Sequence, residues 1–225
     1  MNLRYIFFHG IAAITHPIRR FKEHSTFCFT KIKGLNGNVL QSDHAIVNKC
    51  RFTFSDSGHQ IVLSNCRLYN ANIYIRGKGN RLIIDPGADL NNIRVKMIGT
   101  GNTIHIGAGA SCGGGTFICG GKGISIEIGK RVLMADGIDI WSTDTHSIMV
   151  DGELVNPPKS IIIEDGAWIG KDVAVMKGVK IGEGAVIGMR SMVTHDIAPR
   201  TLNVGNPART VRENVTWSLK NPNNE

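Results

Sequence analysis

The chain has 225 residues, of which 42% are hydrophobic, 20% are charged and 6% are aromatic, and it carries a formal net charge of +8. This length fits one substantial domain, and 27 glycines beside so few aromatic residues predict many tight turns rather than a conventional core of large side chains. Five scattered cysteines without a CxxC pair argue against a disulfide framework or a zinc finger, and favour reduced thiols in the cytoplasm.

The first 33 residues lack the repeats that follow, and we expect them to form a helical or irregular cap with basic flanks. Their apolar stretch at residues 5–14 is too short to cross a bilayer. No clean small-residue cleavage site follows it, which argues against a signal peptide. Arg4, Arg19, Arg20 and Lys22 leave weak attachment to an anionic membrane surface as an open alternative.

A long repeat begins next. Its marker glycines lie 21 or 22 residues apart, at Gly37, Gly58, Gly79, Gly101 and Gly123. Three of them precede asparagine, and an alternating apolar run follows each one. Glycine followed by asparagine suits a corner with a positive φ, so the spacing predicts one large turn of chain per repeat.

The glycine-rich segment at residues 113–123 (GGGTFICGGKG) lies inside this repeat. It lacks the Gly-Lys-Ser/Thr ending and the following helix of a phosphate-binding loop, and we interpret it as tight corners. The positive charge comes without aromatic interleaving or a known nucleic-acid motif, which argues against binding of DNA or RNA.

A stricter period of six follows. Aliphatic residues stand six apart at Ile163, Ile169, Val175, Ile181, Ile187 and Val193, and Ile128, Met134 and Ile140 keep the same spacing upstream. Small or medium residues stand four positions after the first five, at Ala167, Val173, Val179, Ala185 and Ser191. This period suits short strands with a bend every six residues, so that three faces close a triangular coil and stacked coils bury an aliphatic column. The prediction is an all-β solenoid over residues 34–212 with a C-terminal tail at 213–225, because the strands of a β-sandwich would not keep a six-residue period.

The segment WSTDTHS, residues 141–147, breaks the period. His146 stands six residues after Ile140, where the next inward aliphatic residue is due, and residues 147–160 are predicted to leave the solenoid as a loop. Asp144 lies two residues before the histidine and would share its face in an extended segment, where it could accept a hydrogen bond from the imidazole. The alternatives are a surface-loop histidine and a plain turn aspartate.

Three blocks of sequence, taken in order, resemble the hexapeptide-repeat acyltransferases and in particular their polysaccharide and sugar O-acetyltransferase branch. They are WSTDTHS at 141–147, GAWIGKDVAVMKGVKIGEGAVIGMRSMVTHDI at 166–197 and NVGNPARTVRENVTW at 203–217. That family forms a left-handed parallel β-helix, and we follow the resemblance although the general crossover rule favours a right-handed coil. Ser147 replaces the proline usual in the maltose and galactoside branch, and with the long turns this favours a cell-surface polysaccharide or its precursor as acceptor.

The resemblance implies transfer of acetyl from acetyl-CoA to a saccharide hydroxyl, with His146 as general base and Asp144 orienting it. The positions that match residues in contact with CoA are Trp168, Lys171, Met189, Thr194, His195, Arg209 and Arg212. The resemblance also implies a homotrimer with each site between adjacent solenoids. No metal is expected, because His105, His146 and His195 lie far apart in sequence and the His and Cys residues lack metal-ligand spacing.

Three other functions remain open from the sequence. An N-acetyltransferase acting on an amino sugar, or a serine acetyltransferase, would use His146 in the same way. A non-catalytic solenoid would need neither His146 nor CoA. For either kind of catalysis, we suggest the backbone N–H of Gly170 as one candidate donor to the oxyanion.

Overall fold

The structure is a computed structural model that describes residues 19–21 and 24–220. Within these residues it contains strands, turns and bends but no helix. Three sheets of eight, ten and eight strands form the sides of a triangular prism, and the chain passes from one sheet to the next around each coil. The fold is the predicted left-handed parallel β-helix.

Strands of each sheet stack in chain order. The first sheet contains Arg19–Phe21, Val39–Asp43, Gln60–Ser64, Arg81–Ile84, Thr103–Ile106, Ser125–Ile128, Ile161–Ile163 and Lys180–Ile181. The second contains Thr26–Cys28, Ile46–Asn48, Arg67–Tyr69, Asp89–Asn91, Ser111–Cys112, Leu133–Met134, Trp168–Ile169, Val186–Ile187, Leu202–Val204 and Arg209–Arg212. The third contains Lys31–Lys33, Arg51–Phe54, Asn72–Lys78, Ile93–Thr100, Gly115–Lys122, Ile138–Trp141, Ala174–Met176 and Met192–Val193. An antiparallel hairpin of Met149–Val150 and Glu153–Leu154 stands outside these sheets.

One aliphatic column fills the prism. All nine predicted inward residues of the six-residue period are buried, from Ile128 to Val193, and so are the five small or medium residues between them, from Ala167 to Ser191. The period is therefore confirmed, because each short strand points one large side chain inward and each corner admits only a small one. Burial of each large aliphatic side chain contributes about 1.5–3 kcal/mol.

A ladder of polar side chains runs inside the corner between the third and first sheets. Asn38 Oδ1 accepts from the N–H of His59 at 2.8 Å, and His59 Nδ1 accepts from the N–H of Asn80 at 3.3 Å. Asn80 Oδ1 and Asn102 Oδ1 continue the ladder by accepting from the N–H groups of Asn102 and Ile124. The glycines that mark the long repeat precede these residues with φ between +63° and +81°, which confirms the predicted corners.

A second glycine column lies just before this corner. Gly77, Gly99 and Gly121 pair in register and have φ values of +104°, +113° and +124°. A Cβ on Gly99 would overlap the carbonyl oxygen of Gly121. Close approach of the backbones, together with a positive φ, therefore requires glycine at this column.

The predicted boundary at residue 34 is wrong, because the solenoid begins before it. Strands at Arg19–Phe21, Thr26–Cys28 and Lys31–Lys33 pair in parallel with the next coil, so they form a first coil and not a cap. Charged residues alternate with Ile32 in the last of these strands, which hides the short pattern from sequence reading. The apolar stretch at residues 5–14 lies outside the described residues. Among the residues that are described, no helix has the length and apolarity needed to cross a membrane.

The chain folds back after the last full coil. Arg209–Arg212 pairs antiparallel with Leu202–Val204 and ends the parallel stack of the second sheet. Beyond it the N–H of Val215 donates to the carbonyl of Arg200 at 2.8 Å, and Trp217 Nε1 donates to the carbonyl of Gly166 at 2.8 Å. The described part of the predicted tail thus packs along the side of the solenoid.

Candidate active site

The largest interruption of the solenoid lies between Ile138–Trp141 and Ile161–Ile163. The first sheet continues across it, because Ser125–Ile128 pairs directly with Ile161–Ile163. The N–H of Lys159 donates to the carbonyl of Ser142 at 3.0 Å and closes the base of the loop. The chain therefore leaves the solenoid between these two residues, a few positions earlier than the predicted start at residue 147.

The loop contains an exposed hairpin. Asp151 and Gly152 form its turn with φ of +50° and +83°, a pair suited to the tight turn that joins antiparallel strands. Its apolar side chains, which are about half exposed, are Ile148, Met149, Val150, Leu154 and Val155. The hairpin therefore presents an apolar surface beside the histidine.

One amide side chain ties the two arms of the loop together. Asn156 Oδ1 accepts from the N–H of Ile148 at 2.6 Å, and its Nδ2 lies 2.9 Å from the carbonyl oxygen of His146 and 2.8 Å from Asp144 Oδ2. Lys177 Nζ binds the same carboxylate oxygen of Asp144 and also donates to the carbonyl of Asn156 at 3.3 Å. The hydrogen bond from Lys177, followed by that from Asn156, holds the pKa of Asp144 below its ordinary value, so the carboxylate is charged at neutral pH.

His146 is exposed in this loop, and its Nδ1 lies 3.0 Å from Thr145 Oγ1. The hydrogen bond that the sequence predicted from the imidazole to Asp144 is not formed, because that carboxylate binds Lys177 and Asn156 instead. The prediction assumed extended backbone, but Thr145 has a φ of +62°, so residues 144 and 146 do not share a face. Asp144 therefore acts on the loop and not directly on the imidazole.

The predicted CoA-contacting residues lie on different sides of the prism. Thr194 and His195 follow Met192–Val193 at the corner between the third and first sheets, where the loop with His146 also emerges. His195 Nδ1 lies 2.8 Å from Thr194 Oγ1, an arrangement that repeats the one at His146. Lys171 and Met189 lie at the corner between the second and third sheets, and both are exposed.

The remaining predicted positions lie on the second sheet. Trp168 is 39% exposed and packs against Trp217, with ring centroids 5.8 Å apart. Arg209 and Arg212 are exposed on the last strand of that sheet. One chain thus brings His146, Thr194 and His195 to one corner and leaves Trp168 and the two arginines on another side.

The suggested oxyanion donor is wrong. The N–H of Gly170 donates to the carbonyl of Ile187 at 2.8 Å as part of the ladder between coils. A backbone N–H that is already satisfied in this way is not free to bind a developing negative charge.

Two residues of the loop network escaped the sequence reading. In the sequence, Lys177 is one of the variable residues of the six-residue period, and Asn156 is a polar residue before two prolines. The register supplies the missing signal, because Trp141 pairs with Met176 and this places Lys177 beside the start of the loop. Within the described ranges, no group of three or more His, Cys, Asp or Glu residues is arranged to hold a metal ion.

Comparison with known proteins identifies the family. The model described as bacterial transferase hexapeptide (six repeats) matches residues 160–195, which contain the strict period. The polysialic acid O-acetyltransferase of Neisseria meningitidis is 30% identical over 193 residues, which cover 84% of this chain and 88% of that protein. The chain belongs to the hexapeptide-repeat acyltransferase family, in its sugar O-acetyltransferase branch. The galactoside O-acetyltransferase of Escherichia coli is 37% identical over 92 residues, which cover 40% of this hexapeptide-repeat acyltransferase and 44% of that relative.

Solved structures show the same fold along nearly the whole chain. The polysialic acid O-acetyltransferase OatWY superposes with a TM-score of 0.72 at 24% identity, over 92% of this chain and 90% of that one. The polySia specific acetyltransferase NeuO gives a TM-score of 0.71 at 23% identity, over 89% and 92% of the two chains. The long N-terminal coils of this acyltransferase are therefore part of a fold that these proteins share.

Proposed function

We propose that the chain transfers acetyl from acetyl-CoA to a hydroxyl of a cell-surface polysaccharide or its precursor, with His146 as general base. The observation that carries the proposal is the exposed His146 on a braced loop that interrupts an otherwise continuous solenoid. A buried or loosely held histidine would not offer an imidazole in a fixed position to a large acceptor.

In the proposed reaction, the imidazole removes the proton of the acceptor hydroxyl. Since Nδ1 faces the Thr145 hydroxyl, Nε2 is the nitrogen that receives this proton. The hydroxyl oxygen bonds to the acetyl carbonyl carbon, the bond from that carbon to the CoA sulfur breaks, and the imidazolium returns the proton to the leaving thiolate. Lys177 and Asn156 hold the loop, and their role is to position His146.

The exposed cations of the terminal coils fit a phosphate-bearing donor. Lys171, His195, Arg209 and Arg212 form no ion pair within the part of the chain that the structure describes, whereas Arg190 lies 3.6 Å from Asp172. Unpaired cations on a surface are suited to the pyrophosphate and 3′-phosphate of CoA. These four residues, with Trp168, Met189 and Thr194, are the ones we propose to contact the donor.

A homotrimer is part of the proposal. Since His146 and His195 lie at one corner while Trp168, Arg209 and Arg212 lie on the second sheet, a single chain carries the two halves of the site on different sides. A second copy that places its second sheet against this corner would bring the halves together. The apolar hairpin beside His146 supports such a contact.

The cytoplasm is the proposed location. All five cysteines are free, and burial raises the pKa of Cys50 and Cys119 to about 11 and that of Cys66 and Cys112 to about 12. Reduced, buried thiols support a reducing compartment. Weak attachment to an anionic membrane through the N-terminal cations remains a proposal, since Arg4 and Lys22 lie outside the described residues.

The test follows thiol release from acetyl-CoA with a panel of polysaccharides, amino sugars and serine. His146→Ala is compared with His44→Gln, a change of another exposed histidine far along the solenoid. We expect release with a saccharide hydroxyl acceptor, a loss of about 10²-fold or more in His146→Ala, and no change in His44→Gln. Preference for an amine acceptor would favour the N-acetyltransferase, and equal activity of the two variants would leave the non-catalytic solenoid.

A further inference from the structure

The outer surface of the third sheet carries an unusual concentration of positive charge. Its strands contain eight lysines and arginines and one acidic residue, Asp139. We call the eight cations the cationic track: Lys31, Lys33, Arg51, Arg76, Lys78, Arg94, Lys96 and Lys122. The first sheet, by contrast, has four cations and two acids in its strands.

Alternation with the buried column points the track outward. Arg94 is exposed and Lys96 half-buried, while Val95 and Met97 on the same strand are buried. Leaving Lys31 aside, no member of the track forms an ion pair with a carboxylate of the described residues. Asp56, an acidic side chain at the corner nearby, accepts from the N–H of Gly77 at 2.8 Å.

The track crosses the sheet because its members lie on five strands that stack in register, at different positions along those strands. Five steps between adjacent strands separate Lys31–Lys33 from Ile138–Trp141. At a spacing of about 4.8 Å per strand these steps span roughly 24 Å. Eight cations beside one carboxylate in these strands give the sheet an excess of positive charge, which favours a ligand with repeated negative charges.

The track leads to the loop that carries His146. Lys96 pairs with Ile118, and Ile118 pairs with Trp141, the last strand residue before the loop. The indole N–H of Trp141 is buried and has no hydrogen-bond partner among the described residues, which leaves an unused donor where the track meets the loop. A chain lying along the track would therefore end beside the proposed base.

We infer that the cationic track binds an acidic polysaccharide whose repeated carboxylates pair with its lysines and arginines while one sugar unit reaches His146. The inference rests on the proposed function and deepens it. Extended binding on the sheet sets the acceptor class by charge, and the catalytic loop sets the hydroxyl that is acetylated.

Binding is measured without acetyl-CoA, by fluorescence anisotropy of labelled polysialic acid, with dextran as neutral polymer and single-stranded DNA as a polyanion that is not a saccharide. Arg94→Glu/Lys96→Glu tests the track. Arg81→Glu/Lys130→Glu is the matched control, since it makes the same change of charge away from the third sheet. We expect the track variant to bind polysialic acid about tenfold more weakly or worse, the scale of two lost surface ion pairs. The control should bind like wild type, and wild-type binding should weaken as salt rises.

Equal binding by the two variants, or tighter binding of DNA than of polysialic acid at the same ionic strength, would overturn the inference. The two proposals fail separately. If the polymer binds but no saccharide causes thiol release from acetyl-CoA, the proposed function is wrong. If KM for the polymer is unchanged in the track variant, the proposed role of the track is wrong.

Discussion

Asn156 donates to Asp144 across the neck of the loop, with Nδ2 2.8 Å from Oδ2. Its same nitrogen lies 2.9 Å from the carbonyl oxygen of His146, so one amide links the carboxylate to the backbone of the proposed base. The carboxylate in turn binds Lys177 on the next coil. The position of His146 is therefore fixed relative to the solenoid by three polar side chains.

Loss of this bracing is expected to lower turnover more than donor binding. Asn156→Ala removes the hydrogen bonds at Ile148, His146 and Asp144, and Lys177→Met removes the ion pair. Misplacement of a catalytic group by about 1 Å costs about 10²-fold in rate, so kcat should fall by that order while KM for acetyl-CoA changes little. Steady-state kinetics with Lys177→Arg, which keeps the charge, should show partial rescue; the same loss in the Arg and Met variants would speak against positioning through the ion pair.

His59 makes stability depend on pH. Burial, opposed in part by Asp56, lowers the pKa of His59 from its ordinary value of 6.5, and its Nε2 is buried without a partner in the described structure. Because its pKa is lowered in the folded state, folding favours neutral His59. The contribution of this residue to protein stability is therefore fully present above pH 6.5 and is lost as the pH falls from 6.5 toward the folded-state pKa.

His59→Asn should remove this dependence. The asparagines next to it in the ladder, Asn38 and Asn80, have no charge to gain. Thermal unfolding from about pH 7.5 to about pH 5 should therefore show a steeper fall in Tm for wild type than for the variant. Parallel curves would mean that His59 does not titrate in this range.

The glycine column should tolerate no side chain. Gly99→Ala combines a φ of +113° with overlap of the Gly121 carbonyl, and we expect a loss of about 3 kcal/mol or more. Gly101→Ala is the control, because it also has a positive φ but nothing within 4 Å of an added Cβ, and it should cost about 1 kcal/mol. Urea unfolding measures the free energy of unfolding of both variants. Equal losses would show that the positive φ, and not the overlap with the Gly121 carbonyl, sets the cost.

Burial of the cysteines predicts how many thiols react in the native protein. Four of the five thiols are buried with raised pKa values, which leaves Cys28 as the partly accessible one. A colorimetric thiol reagent should therefore label about one thiol per native chain and five after denaturation, since the reacting species is the thiolate. Rapid labelling of more than one native thiol would contradict the burial of the column.

The repeated features of the fold were predictable from the sequence. The six-residue period placed residues such as Ile169 and Ile187 in the core because each strand carries a single inward position. The corner glycines were equally predictable from their spacing. The predicted hydrogen bond from His146 to Asp144 was wrong, because the left-handed φ of Thr145 has no signature in the sequence. Partners such as Lys177 arise from stacking between coils and appear only when the register is known.

The direct pairing of Ser125–Ile128 with Ile161–Ile163 has a consequence for how such enzymes diversify. The first sheet continues across the loop as though the loop were absent. The length and composition of the loop can therefore change without altering the solenoid that supports it. A new choice of hydroxyl can therefore arise by exchange of one surface segment, while the prism keeps its registration.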